Sequence, residues 1–360
     1  MRSVVAMAPV EVALEISPRA RVDLVDVRKR AVASYGDVLA PFPQALYSSF
    51  HTTAGYLDQS LALRLNRQRD GLAPYLSFFR NVFPEGAGYK HDELQLRKEL
   101  SDEQRETEPL NADSHLAFIS AGLRSCVTYR GRADQPVYFI DLDGMNEGRP
   151  RRRVTTILGF NTEETVACDR VSVPMSAHPV ESVSLKDPRL GIYERCQDLI
   201  AAHGVTKGRI QLALAPGEDQ AGLTVNEYET LLMRHDLADV LRDPLRFMAE
   251  KSRHLLGDPR AIPNKTLEYA KYDMVRVFNE LVDALRLSDS VIEKILSRFF
   301  GAPARHFLRM KRSVSLPVSD RGTPGDGRVA EGQYQSPILV QWRRSEPRAR
   351  LVDITLTRFQ

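Results

Sequence analysis

The pattern of apolar residues changes near residue 185, and this constrains the fold of the chain more than any other feature. Before that point short β-branched runs alternate with stretches of helical spacing, the signature of a mixed α+β region. Val10 to Ile16 reads as a strand, Val22 to Tyr35 as a helix, and Ala45 to Phe50 as a strand leading into His51. Leu72 to Phe83 and Asn111 to Gly122 carry helical spacing, the second opening on Asn111 and Asp113 as candidate caps and closing on a glycine. Val127 to Tyr129, Val137 to Leu142 and Val154 to Leu158 read as strands of a half-buried antiparallel sheet.

From Pro188 onward helical spacing dominates, over Tyr193 to Ala202, Val225 to Arg234, Leu267 to Leu287 and Asp289 to Phe299. Thr224 with Glu227 three residues on has the form of a capping box at the head of the second of these. Arg321 to Gly332, with four glycines and a proline, reads as a loop, and Ile338 to Trp342 and Leu351 to Leu356 as closing strands. An isolated strand pair is marginal in water, so these two need a host sheet, and the N-terminal one is the nearest candidate. No internal repeat, heptad run or low-complexity segment is detectable.

At 360 residues the chain exceeds what one ordinary core fills, so more than one unit is expected. The boundaries read as 1–185 for the α+β domain, 186–335 for a mainly helical extension and 336–360 for a terminal strand pair that packs back on a sheet. A formal charge of +3 is too balanced to point to nucleic acid by itself. Three cysteines without a Cys-x-x-Cys spacing argue against a disulfide framework or a zinc ribbon and fit a reducing, cytoplasmic setting. No apolar run approaches the ~20 residues that span a bilayer, so neither secretion nor membrane insertion is expected.

Three of the eight histidines sit in polar, turn-rich contexts, each beginning or ending an element: His51-Thr52-Thr53-Ala54-Gly55, Tyr89-Lys90-His91-Asp92 and Asn111-Ala112-Asp113-Ser114-His115-Leu116. Three neutral imidazoles with one open position can hold a tetrahedral zinc that activates bound water. Scattered histidines more often serve a surface or a packed core, so these residues alone favour the plainer role.

These segments, in this order, resemble the YjbQ-like family, also called secondary thiamine-phosphate synthases. The resemblance covers roughly Val10 to Phe160 and is carried also by Ser17-Pro18-Arg19, Asp141-Leu142-Asp143-Gly144 and Arg151-Arg152-Arg153-Val154. It implies a small α+β fold with an antiparallel sheet, commonly a trimer, and a pocket holding a metal and an anion around its histidines. On that basis His51, His91 and His115 are expected to bind a divalent metal, with zinc the first candidate. Departures accompany the resemblance. Where the family carries Asn-Glu-Asn this chain has Gln59-Ser60-Leu61, which removes an acidic group; its Gly-Thr-Trp-Gln survives only as Gln135; and Asp141 stands where the family has glutamate.

Asp141 and Asp143, two apart on a strand, share one face and are the candidate catalytic carboxylates; a solvated strand end is the alternative. Thr52, Thr53, Asn111, Gln135 and Arg151 are the candidate substrate contacts. Of the cluster Arg149, Arg151, Arg152 and Arg153 at most two can enter one pocket, and we place Arg151 inside and the others exposed. In the second half His203, His235, His254 and His306 lack ligand-like spacing, and the stripe from Tyr269 to Phe278 reads as core. No phosphate-binding loop, dinucleotide fingerprint, nucleophile elbow or His-Glu-x-x-His motif is present.

The expectation is thus a YjbQ-like α+β domain followed by a mainly helical extension that ends in a strand pair. Its expected function is that of a metal-dependent transferase or hydrolase acting on a small phosphorylated or carboxylated metabolite, as a possible homo-oligomer. The alternatives are a non-catalytic metal- or anion-binding module with a helical interaction surface and, less favoured, RNA binding through residues 149–153, which would show a steep salt dependence.

Overall fold

In a computed structural model of the chain, residues 7–65, 69–131, 135–243, 246–247, 250–251 and 310–360 are described. The helices expected over Leu267–Leu287 and Asp289–Phe299 lie outside them. The fold is α+β, with antiparallel sheets, helices between the strands, and a C-terminal region that closes in strands.

The first half runs β1 (Val10–Ile16), β2 (Asp23–Asp26), α1 (Val27–Tyr35), β3 (Gln44–Ser49), β4 (Ala54–Gly55), α2 (Gln59–Arg64), α3 (Arg69–Val82), α4 (Asp102–Thr107), α5 (Ala112–Ser120), β5 (Cys126–Arg130), β6 (Tyr138–Asp141), β7 (Met145–Asn146), β8 (Arg149–Pro150) and β9 (Arg153–Phe160). The helix expected from Val22 starts only at Val27, because Asp23 to Asp26 pair with β6 and Asp26 caps the helix by accepting from the amides of Arg28 and Lys29.

The second half runs β10 (Glu163–Pro174), β11 (Glu181–Ser184), α6 (Ile192–Ala202), β12 (Gly208–Leu214), β13 (Ala221–Asn226), α7 (Leu237–Arg242) after a π-helical turn over Leu232–Asp236, β14 (Ser313–Ser319), β15 (Arg328–Val329), β16 (Ser336–Gln341) and β17 (Ala349–Phe359). Strands share this half with its helices. Ile210, Leu212 and Leu214 alternate inward along β12, and α6 lays Ile192, Cys196 and Ile200, spaced four apart, on the same core.

The two halves repeat one topology. The larger sheets have the orders β1-β9-β3-β5 and β10-β17-β12-β14, the latter extended by β15, and the smaller ones β2-β6-β4 and β11-β16-β13. The registers agree as well. Asp141 stands opposite Asp23 and Ala54, as Gln341 stands opposite Glu181 and Ala221. Tyr56 bridges Arg124, as Leu223 bridges Lys311. Even a buried contact recurs: Arg153 donates to Asp141, and Arg350 to Gln341. No sequence repeat announces this, because strand order needs only apolar alternation and many sequences supply it.

The last two strands therefore do return to sheets, but not as a pair and not to the N-terminal sheet. β16 is central in one sheet of the second half, and β17 lies between β10 and β12 in the other. The halves are nonetheless joined through shared core, since Leu232, Leu237, Val240, Ile338 and Val340 pack with the first half's apolar residues. Phe160 and Phe359 stack with centroids 3.9 Å apart. At Gly332 a Cβ would overlap the carbonyl oxygen of Phe50, so the second half's backbone touches the first half's directly there. Among the described residues no helix is long and apolar enough to cross a membrane.

Candidate functional site

His91 and His115 come together where the two halves meet, their rings edge to face with centroids 5.2 Å apart. His115 rides on α5, whose residues are all buried, and His91 follows the buried Tyr89 in the loop before α4. Their exposures are 0% and 1%. Asn111, expected to cap α5, has no side-chain capping bond; the amide of Ala112 is met by Asp92 instead. That frees the Asn111 side chain to donate to Asp143 at 2.7 Å, with its oxygen 3.4 Å from His91 Nε2.

The Nδ1 partners of both imidazoles belong to the second half. His115 Nδ1 lies 2.6 Å from Asn226 Oδ1, and His91 Nδ1 lies 2.9 Å from Glu229 Oε2. Asp236 accepts the amides of Lys90 and His91, which fastens that loop to the second half. His115 Nε2 is wholly buried, has no hydrogen-bond partner among the described residues, and stands 3.5 Å from Glu227 Oε2. Glu227, Glu99 and Glu108 share the guanidinium of Arg97, whose own side chain is buried.

The helix expected over Val225 to Arg234 is replaced here. Thr224 and Val225 pair with β16, and Glu227 makes no capping bond; its carboxylate is spent on Arg97. The helical turn begins later, with Glu229 accepting the amides of Leu231 and Leu232 at 2.7 Å each. Strand pairing removes the backbone donors that a capping box at Thr224 would serve.

The pair of histidines is electrostatically split. Burial and the charge of His91 hold the pKa of His115 well below the usual imidazole value. Burial also acts to lower that of His91, but the hydrogen bond to Glu229 and the charge of Glu227 outweigh it and the pKa is raised. Burial raises the Glu227 carboxyl, against the pull of His91 and Arg97. Two neighbouring groups of one chemistry pushed in opposite directions divide naturally into an acid and a base.

The remaining expected residues take defined places. His51 Nε2 accepts the amide of Val154 at 2.7 Å, and burial with the charges of Arg153 and Arg151 lowers the His51 pKa to about 3. Asp141 is fully buried and bound by Arg153, so Arg153 is buried too, where the sequence reading leaves it exposed. Asp143 binds Asn111 and Arg151 through Oδ2, while its buried Oδ1 has no partner among the described residues. Thr53 is buried within 3.5 Å of Arg153, and the carbonyl of Thr52 accepts from Asn226. Gln135 stands elsewhere, its carbonyl against Arg28 of α1. The arginine cluster disperses: Arg151 and Arg153 turn inward to aspartates, and Arg152 pairs with Glu15 at the surface.

Among the described residues no group of three His, Cys, Asp or Glu side chains is arranged to hold a metal ion. The three-histidine donor set does not fit as it stands, since His51 Nε2 already accepts an amide proton and both ring nitrogens of His91 face acceptors.

An open cleft of about 780 Å³ leads to this centre, lined by Arg97 and Glu108 from the first half and by Glu227, Glu229 and Tyr334 from the second. Sequence reasoning passes over Arg97, Asn226 and Glu229 and gives Glu227 only a capping role. One signal could find them. Gln59 follows the bridging Tyr56 by three residues, and Asn226 follows the bridging Leu223 by three, so Asn226-Glu227 stands in the second half where Gln59-Ser60 stands in the first.

No family model and no curated protein matches the chain. Among solved structures it is similar to a YbjQ-like protein of unknown function from Sulfolobus solfataricus P2, at 14% identity over 55% of this chain and 99% of that one, with a TM-score of 0.28. A hypothetical protein from Aeropyrum pernix K1 matches at 15% identity over 52% of this chain and 96% of that one, with a TM-score of 0.27. An uncharacterized conserved protein of the yjbq/UPF0047 family from Clostridium acetobutylicum matches at 13% identity over 52% of this chain and 98% of that one, with a TM-score of 0.26. Two of these three solved structures carry a YjbQ-type name, and each is matched over about half of this chain.

Proposed function

We propose that the chain is an enzyme that moves a proton on a small phosphorylated or carboxylated metabolite in the site between its halves. The observation that carries this reading is His115 Nε2, buried without a hydrogen-bond partner and 3.5 Å from Glu227, whose carboxyl also lines the cleft. Asn226 Oδ1 accepts the proton of Nδ1, which leaves Nε2 with its lone pair. Glu227 meets the substrate and exchanges its proton with the imidazole behind it; burial raises its carboxyl above the ordinary carboxylate value, the direction that favours such a role. The hydrogen bond to Glu229 raises the His91 pKa and so favours its charged form, and Arg151, 30% exposed and paired with Asp143, is the cation we assign to the substrate's anionic group.

A second reading rests on the same unpartnered atom. A divalent cation such as zinc, bound by His115 Nε2 and Glu227, would supply Lewis-acid chemistry at the end of the cleft. A turnover screen over phosphorylated and carboxylated metabolites, with and without chelator, separates the possibilities. Turnover that survives chelation and falls about a hundredfold or more in Glu227→Gln and His115→Asn supports proton transfer. Chelator-sensitive turnover with about one metal per chain supports the second reading. Tight binding without turnover overturns both in favour of a binding module.

A further inference from the structure

We propose that a cavity between α1 and β3 in the first half binds a small apolar carboxylate, with the acid group at Arg28 and the apolar body under the helix. The cavity holds about 270 Å³ and shares no lining residue with the cleft between the halves, so the inference stands apart from the proton-transfer reading.

The repeated fold shows that this space is particular to the first half. Arg153 and Arg350 are matching positions, each donating to the matching residue of its smaller sheet, Asp141 or Gln341. Counting equally far along β9 and β17 from these arginines gives Gly159 and Leu356, whose cross-strand partners are Ala45 and Ile210. Ile210 and Leu356 are fully buried in one core with Cys196 and Ile200 of α6. Their first-half counterparts, a methyl group and a hydrogen, leave the space under α1 short of side-chain volume. Leu39 and Phe42 come over Gly159 from the loop after α1, where a Cβ would stand 2.6 Å from Phe42 Cδ2 and 3.1 Å from Leu39 Cδ2. Both wall the cavity without closing it, and Val32, which also lines it, is 52% exposed. Interiors seldom keep voids larger than a water molecule, and an apolar body would take this surface out of water. An apolar cavity of about 150 Å³ holds benzene, so there is room here for a ring and a short chain.

Charge selects the class of ligand. Arg28 and Asp37 are the charged residues of the lining. Asp37 is exposed beyond the far end of α1, more than ~10 Å from Arg28 along the helix axis at about 1.5 Å per residue. Arg28 is positioned by the sheet, its Nε donating to the Tyr47 hydroxyl at 2.6 Å. A fixed guanidinium beside apolar walls suits a carboxylate, which it meets with directed N–H donors.

3-Phenylpropionate is the probe, with 3-phenylpropionamide as its uncharged counterpart. Calorimetric titration of the full chain should give saturable binding of the acid at about millimolar concentration, with the amide at least about tenfold weaker. Arg28→Gln should weaken the acid by about tenfold or more and leave the amide as it is. Ala45→Ile, which installs the residue of the matching second-half position, should abolish binding of both. Its thermal midpoint should stay close to that of the wild type, because the added carbons enter existing space. Thermal unfolding shows whether each variant folds, and if one does not, the other and the comparison of acid with amide on the wild type still decide. No saturable binding of the acid, an amide that binds equally well, or binding that survives Ala45→Ile would overturn the proposal.

Discussion

Asn226 Oδ1 lies 2.6 Å from His115 Nδ1, so a residue at the end of a second-half strand fixes the tautomer of a first-half histidine. Neither half carries the centre alone. The first contributes the imidazoles, and the second contributes the amide and the carboxylates that orient them. Glu227, after β13, stands at the same offset from its bridge as Ser60 does after β4.

Asn226→Ala should leave His115 Nδ1 buried without an acceptor. The expected cost is about 1–3 kcal/mol of stability, read as a lower urea midpoint. Any turnover found in the metabolite screen should fall by at least about tenfold, by analogy with groups that orient a working histidine. A variant with wild-type stability would show that the amide is replaceable by water.

Arg153 and Asp141 form a buried ion pair, with both aspartate oxygens bonded to the guanidinium. Removing one member strands the other, so Asp141→Ala or Arg153→Ala should each lose about 3–5 kcal/mol. The double variant Asp141→Leu with Arg153→Met should lose clearly less than the sum, and a double-mutant cycle from urea unfolding measures the difference.

His51 should contribute to acid sensitivity. In the unfolded chain its imidazole takes a proton near the ordinary histidine value of 6.5, and in the folded chain only at about 3. Between those values the unfolded state binds more protons, so stability falls as the pH falls, by up to roughly 1.4 kcal/mol per pH unit. His51→Gln removes this contribution. Its urea midpoint should change less than that of the wild type between pH 7 and about pH 5, and parallel pH profiles would refute the assignment.

A fragment ending at residue 185 should not fold as a separate soluble unit. It would keep β10 and β11 but lack β17 and β16, the strands they pair with. Two exposed edges result, and such edges associate. Size-exclusion chromatography and urea unfolding of 1–185 should show aggregation or non-cooperative melting; a monomeric, cooperative fragment would contradict it.

Local chemistry was legible wherever neighbours in sequence suffice. β1, β3, α5 and α6 follow from alternation or helical spacing, and their bounds agree with the structure to within a few residues. The motif segments around His91 and His115 also do reach one centre. Thr224 to Glu227 shows where this ends: the same letters that spell a capping box form a strand end, because β16, over a hundred residues later, takes their backbone bonds.

The sequence by itself determined the mixed α+β character and the polar histidine segments. Only the tertiary structure decided that the second half repeats the first half's strand order and brings Glu227 beside His115. The physical reason is range. Spacing along the chain reports which face a side chain takes on its own element, whereas an ion pair or a hydrogen bond forms between whatever the folded backbone brings within about 3 Å.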